Sequence, residues 1–167
     1  MTFSENKIQW CLRKAEKEGR KHRGLRKISS NKEIAEEHIT KAEHNFNVMF
    51  LLIRQGVADW AVSASFYTHY HCLLSILSIF GYESRNQECT FAVIEHLIER
   101  GKISLTKEEL YKIISANKEE EFDSETIVGL RERFQYGTEI TYKEQEMKAL
   151  AEQTREFIEK TKKIIRT

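Results

Sequence analysis

From Ser29 onward the apolar residues return every third or fourth position, the spacing that keeps one face of an α-helix out of water. In the first such segment Ile34, Ala35, Ile39, Ala42, Phe46, Met49, Phe50 and Ile53 form a single stripe that ends near Gly56. Ser29-Ser30-Asn31 offers capping side chains, and Glu33 follows Ser30 by three, so the spacing predicts a long helix that begins there with a capping box. Residues 57 to about 80 are apolar nearly all round, from Trp60 through Phe66, Tyr67 and Leu73 to Phe80, which predicts a central helix covered on most sides. Asp59 suits its start and Gly81 its end. A loop through Glu83, Ser84, Arg85 and Asn86 then leads to a third helix over about residues 90–100. Leu105-Thr106 caps a shorter helix, followed by the charged stretch Lys118-Glu119-Glu120-Glu121. Another helix starts at Ser124 and carries Ile127, Val128 and Leu130 toward Tyr136. The last runs over about residues 142–165, with Met147, Leu150, Ala151, Phe157 and Ile158 on one stripe.

Composition narrows this to one fold class. The 167 residues contain no proline, the residue that punctuates strands and turns and is excluded from helix interiors. The expectation is an all-α, up-and-down bundle of four to five core helices with an N-terminal helical extension. Charge places the one boundary near residue 28. Residues 1–27 hold nine Lys and Arg against Glu5, Glu16 and Glu18, a balance of +6; the remainder holds eighteen basic against twenty-three acidic residues, or −5. Residues 1–28 are therefore read as a basic extension that docks through Ile8, Trp10 and Leu12, and residues 29–167 as the bundle. No apolar run reaches the length of a membrane span and the first residues lack a signal-type apolar stretch, so a cytoplasmic protein without membrane contact is expected. Cys11, Cys72 and Cys89 are odd in number and lack paired spacing, which predicts three thiols.

Candidate chemistry is sparse. Arg20, Lys21, Arg23, Arg26 and Lys27 are the best nucleic-acid signal, because neutralising phosphates releases counterions and adds affinity for any sequence. The alternative is a solvated helix that docks on the acidic remainder. His69, His71 and Cys72, with Cys89 and His96 beyond, do not suit a metal, since residues two apart face different sides of a helix; no metal and no cofactor is expected. Phe66, Tyr67 and Tyr70 read as core rather than as a surface for stacking bases.

The aromatic helix at Ser65-Phe66-Tyr67-Thr68-His69-Tyr70 resembles the A-x-Y-Y-A-x-F/Y helix of HEPN domains (higher eukaryotes and prokaryotes nucleotide-binding). The preceding amphipathic helix, the short Gly56-Val57 connection, Phe80-Gly81 and then Asn86 through Thr90 are similar to that family in order and length. Leu130-Arg131-Glu132-Arg133-Phe134-Gln135-Tyr136 resembles its arginine-containing segment before the last helix. The resemblance covers about residues 29–165. It implies a homodimer, RNA as ligand, a minimal nucleotidyltransferase antitoxin as partner, and a place in prokaryotic toxin–antitoxin or defence systems.

Active members carry Arg-x4-6-His, and this chain departs from that pattern. After Arg131 the histidine's place falls on Tyr136, Gly137 or Thr138, and after Arg133 on Thr138, Glu139 or Ile140. The resemblance thus implies an RNA- or nucleotide-binding protein with weakened or absent ribonuclease activity. Arg131 and Arg133 would hold phosphate at a shared cleft. One alternative is a metal-independent endoribonuclease in which Arg131, Arg133 and Tyr136 form an atypical catalytic site; another is a helical protein-interaction module. Tyr136 and Tyr142 are candidate acceptors of a transferred nucleotide.

Overall fold

The computed structural model describes residues 1–114 and 126–167. Lys118-Glu119-Glu120-Glu121 and the start at Ser124 lie outside them. The described residues form a helical bundle: α1 (Phe3–Glu18), α2 (Lys32–Arg54), α3 (Ala58–Ile79), α4 (Gln87–Glu99), α5 (Lys107–Tyr111), α6 (Ile127–Tyr136) and α7 (Glu144–Arg166), with two three-residue strands, β1 (Leu25–Lys27) and β2 (Tyr82–Ser84). No helix among them is long and apolar enough to cross a membrane.

α3 is the centre. It packs against α2, α4, α6 and α7, which is why its sequence is apolar on nearly every side. Its fully buried residues include Ala61, Val62, Phe66, Leu73, Ile76 and Leu77. Several hydroxyls on it bond locally or across helices. The Ser65 and Thr154 hydroxyls share a 2.8 Å hydrogen bond to α7, and the Ser75 hydroxyl donates to the Ala35 carbonyl of α2 at 2.8 Å.

Several helix starts depend on a capping side chain. The Asn31 side chain accepts from the Ile34 N–H at 3.0 Å, so α2 is capped by Asn31 and not by the expected Ser30 box. Asn86 caps α4 in the same way through Cys89 N–H, so that helix begins three residues earlier than the apolar pattern alone predicts. Thr106 and Glu109 form a reciprocal box at α5, and Thr126 caps α6.

α1 has its own box, Thr2 with Glu5, and buries Ser4, Ile8, Cys11 and Ala15 against α4. Beyond it, β1 pairs antiparallel with β2 in the register Leu25↔Ser84, Arg26↔Glu83, Lys27↔Tyr82. Two glycines permit this return. At Gly24 a Cβ would stand 2.6 Å from the Cys11 carbonyl oxygen, and at Gly81, where φ is +77°, one would stand 2.8 Å from that of Ile28. The reading of three thiols is corrected here: Cys11 and Cys89 form a disulfide between α1 and α4, and only Cys72 is free. Helix packing joins two positions 78 residues apart, and spacing along the chain carries no trace of it.

His69 is buried between α3 and α7, with Nδ1 2.9 Å from the Ser65 carbonyl and its ring 4.9 Å from that of Phe157. Burial holds its pKa down to about 4, against 6.5 for an ordinary histidine. A histidine kept neutral in the fold binds its proton more readily when unfolded, so its contribution is complete above pH 6.5 and drains as pH falls toward 4. The expected loss over that window is on the order of 3 kcal/mol. Urea unfolding at pH 7 and pH 4.5 measures it, and His69→Gln should flatten the slope; equal slopes for the two proteins would reject the assignment.

Candidate nucleic-acid interface

α6 lies along α3 with Ile127, Leu130 and Phe134 buried, which sets Arg131 on the aromatic stripe of the central helix. The Arg131 guanidinium carbon is 4.2 Å from the centre of the Phe66 ring. Among the described residues no carboxylate pairs with it, and its buried Nε has no hydrogen-bond partner. A cation resting on an aromatic face, with no counterion among the described residues, has planar donors to offer an anion. Around it, the Phe66 and Tyr70 rings lie 6.0 Å apart and nearly parallel, and the Tyr70 hydroxyl meets the Thr90 hydroxyl at 3.3 Å. Burial raises the Tyr70 pKa. Tyr67 is 45% exposed beside this cluster, whereas Phe66 is wholly buried.

Arg133 is placed elsewhere. Two positions on from Arg131 it faces away, pairs with Glu139 at 3.2 Å and rests 4.9 Å from the Phe134 ring. The two arginines do not converge within one chain. Tyr142 packs on Phe134 at 5.3 Å, with its pKa raised by burial and then by Glu146. Tyr136 is 77% exposed at the end of α6. Below this segment Phe50, Ile53, Tyr142, Met147 and Ala151 line a mainly apolar cavity of about 430 Å³.

The basic segment docks by its apolar side and leaves most of its cations without an acidic partner among the described residues. Among the described residues, only Lys7 of the nine Lys and Arg in residues 1–27 has a carboxylate partner, Glu88 at 2.6 Å. Arg20, Lys21, Arg23 and Lys27 are exposed, and Arg26 donates to the Gly19 carbonyl instead of to an acid. Surface charge elsewhere behaves differently: on α7, Lys148, Arg155, Lys160, Lys162 and Arg166 each meet a glutamate.

The sequence reading of Trp10 as a docking residue is also revised. Ile8 is buried and Leu12 packs on the core, but Trp10 is 45% exposed, with the Lys7 and Lys14 ammonium groups 4.5 and 5.1 Å from its ring centre. The signal was present in the spacing, because Trp10 lies off the 4-8-11-15 stripe that α1 buries. A second unanticipated pair joins α2 to α3: His38 Nδ1 and His71 Nδ1 are 3.0 Å apart. Burial, then the His38 and Lys41 charges, bring the His71 pKa down to about 4. Among the described residues no three His, Cys, Asp or Glu side chains gather as a metal would require.

No characterised protein matches the chain in a search of curated sequences. The family model of the HEPN domain, in contrast, matches residues 35–165, from α2 through α7. That span contains the aromatic stripe of α3 and the arginine resting on it, and the chain belongs to the HEPN domain family.

Proposed function

We propose that this protein binds RNA as a HEPN-family subunit with weakened or absent ribonuclease activity. The observation that carries the reading is the set of uncompensated cations in residues 1–27, where eight of nine lack an acidic partner among the described residues. An excess of exposed positive charge, left without acidic partners among the described residues, suits a polyanion. Arg131 adds a second anion-binding group within the bundle.

Cleavage has no support from the histidines. The motif position is empty of imidazole, and His69, the histidine nearest the aromatic stripe in sequence, is buried, neutral and turned toward Ser65 and Phe157. We propose further that two copies associate over the apolar cavity beside Ile140, which is 69% exposed. A role in a prokaryotic toxin–antitoxin or defence system, with a minimal nucleotidyltransferase as partner, rests on family membership, and Tyr136 is the accessible acceptor for it. The neighbouring gene tests that role: a nucleotidyltransferase there supports it and an unrelated gene removes it.

The binding itself is tested with labelled RNA over a salt series. Log K should fall linearly with log salt. Replacing Arg20, Lys21, Arg23 and Lys27 by alanine should lower the slope by roughly 0.7 for each phosphate of a single strand that is no longer neutralised. Sedimentation of the same samples reads the oligomeric state. RNA left intact fits the proposal, cleavage abolished by Arg131→Ala would instead establish the atypical enzyme, and no binding at low salt would reject the RNA reading.

A further inference from the structure

We propose that the exposed face of α1 is a stacking platform for single-stranded nucleic acid, with the Trp10 indole taking a base and Lys14 and Lys17 taking successive phosphates on one side of it. This rests on the RNA reading above and narrows its substrate class.

The placement of α1 is fixed at several points. The helix is fastened by the Ile8, Cys11 and Ala15 stripe, by the disulfide and by Glu5 to Arg100 at 2.6 Å, so its outward face is held in a fixed orientation. Phe3, Lys7, Trp10, Lys14 and Lys17 recur every three or four residues and therefore share one side of the helix. Their spacing interleaves rings with cations. At 1.5 Å of rise per residue, Lys14 and Lys17 stand roughly 6 and 10 Å along the axis from Trp10. Successive phosphates on one side of a base stacked at Trp10 fall within reach of such long side chains.

The chemistry favours an unpaired strand. An exposed indole between two ammonium groups is a π-surface beside positive charge, the combination that binds a base by its face and its phosphates by charge. In a duplex the base faces are already stacked on one another, and an aromatic side chain on a helix surface meets only the sugar–phosphate wall. Lys14 has no carboxylate partner among the described residues, so an arriving base displaces its ammonium onto a phosphate without breaking an ion pair.

The test uses the full chain with Trp60→Phe as background, which leaves Trp10 as the one indole of the two in the sequence. The probes are a 12-nucleotide oligouridylate and a 12-base-pair RNA duplex. Indole emission should be quenched by the single strand. Trp10→Ala should weaken single-strand binding roughly 5- to 100-fold, the range expected for removing one stacking partner. Trp10→Phe should retain most of the affinity, and duplex binding should change less than twofold in either variant. Lys14→Ala with Lys17→Ala should lower the salt slope while Trp10→Ala leaves it unchanged. An unaltered single-strand affinity in Trp10→Ala, or equal losses on single strand and duplex, would overturn the platform while leaving phosphate binding in place. Failure of the unsubstituted protein to bind either probe would overturn the RNA reading beneath it. Circular dichroism of each variant checks that α1 is retained, and quenching in the background protein is a readout independent of any Trp10 substitution.

Discussion

Opening the Cys11–Cys89 disulfide should lower the unfolding free energy by about 4 kcal/mol, the chain-entropy figure for a closed loop of this size. The loop spans 78 residues and includes all of α2 and α3, so the bond restrains the unfolded chain across the centre of the bundle. For a chain of this length the loss corresponds to a fall of roughly 8 to 16 °C in Tm. Thermal unfolding of the oxidised protein, the fully reduced protein and the Cys11→Ser, Cys89→Ser double variant measures it. Cys72 should not interfere, because burial raises its thiol pKa to about 12 and leaves almost no thiolate to attack the bond. Equal melting of oxidised and fully reduced protein would show that the bond adds nothing to stability.

Phe66→Ala should cost about 3–5 kcal/mol, the usual range for removing a buried aromatic ring. Phe66 is wholly buried in α3, touches the Tyr67 and Tyr70 rings and forms the bed on which Arg131 rests. Phe66→Leu separates its two roles. Leucine restores much of the volume and should cost about 1.5 kcal/mol or less, but it offers no π-face to the guanidinium. The leucine variant should therefore fold well and bind RNA more weakly, by no more than Arg131→Ala does. Urea denaturation and RNA titration of the three variants measure both effects; a stability loss below about 1 kcal/mol in Phe66→Ala would contradict the packing described.

Periodicity carried most of the architecture. The central helix was expected over residues 57–80 and spans Ala58–Ile79; the last was expected over 142–165 and spans Glu144–Arg166. Such segments are legible because a buried stripe constrains every third or fourth residue. Features that depend on the meeting of two distant segments were not. The disulfide and the β1–β2 pair arise only when α1 folds back onto α4, and three-residue strands are too short to display an alternation. Arg131 and Arg133 were read together because they are close in sequence, yet their separation by two positions sends one to Phe66 and the other to Glu139. The basic residues were visible as a block, but that they meet no acidic partner among the described residues is a property of packing.

The concentration of basic residues in residues 1–27 acts on encounters at a distance. With a net charge of +1 the whole molecule exerts little pull, but residues 1–27 carry +6 and the rest of the sequence −5. A polyanion is drawn toward this basic segment before contact, and a negatively charged protein would be drawn to the same segment. Ionic strength should thus act mainly on how often productive collisions occur, and much less on how long a complex lasts once formed.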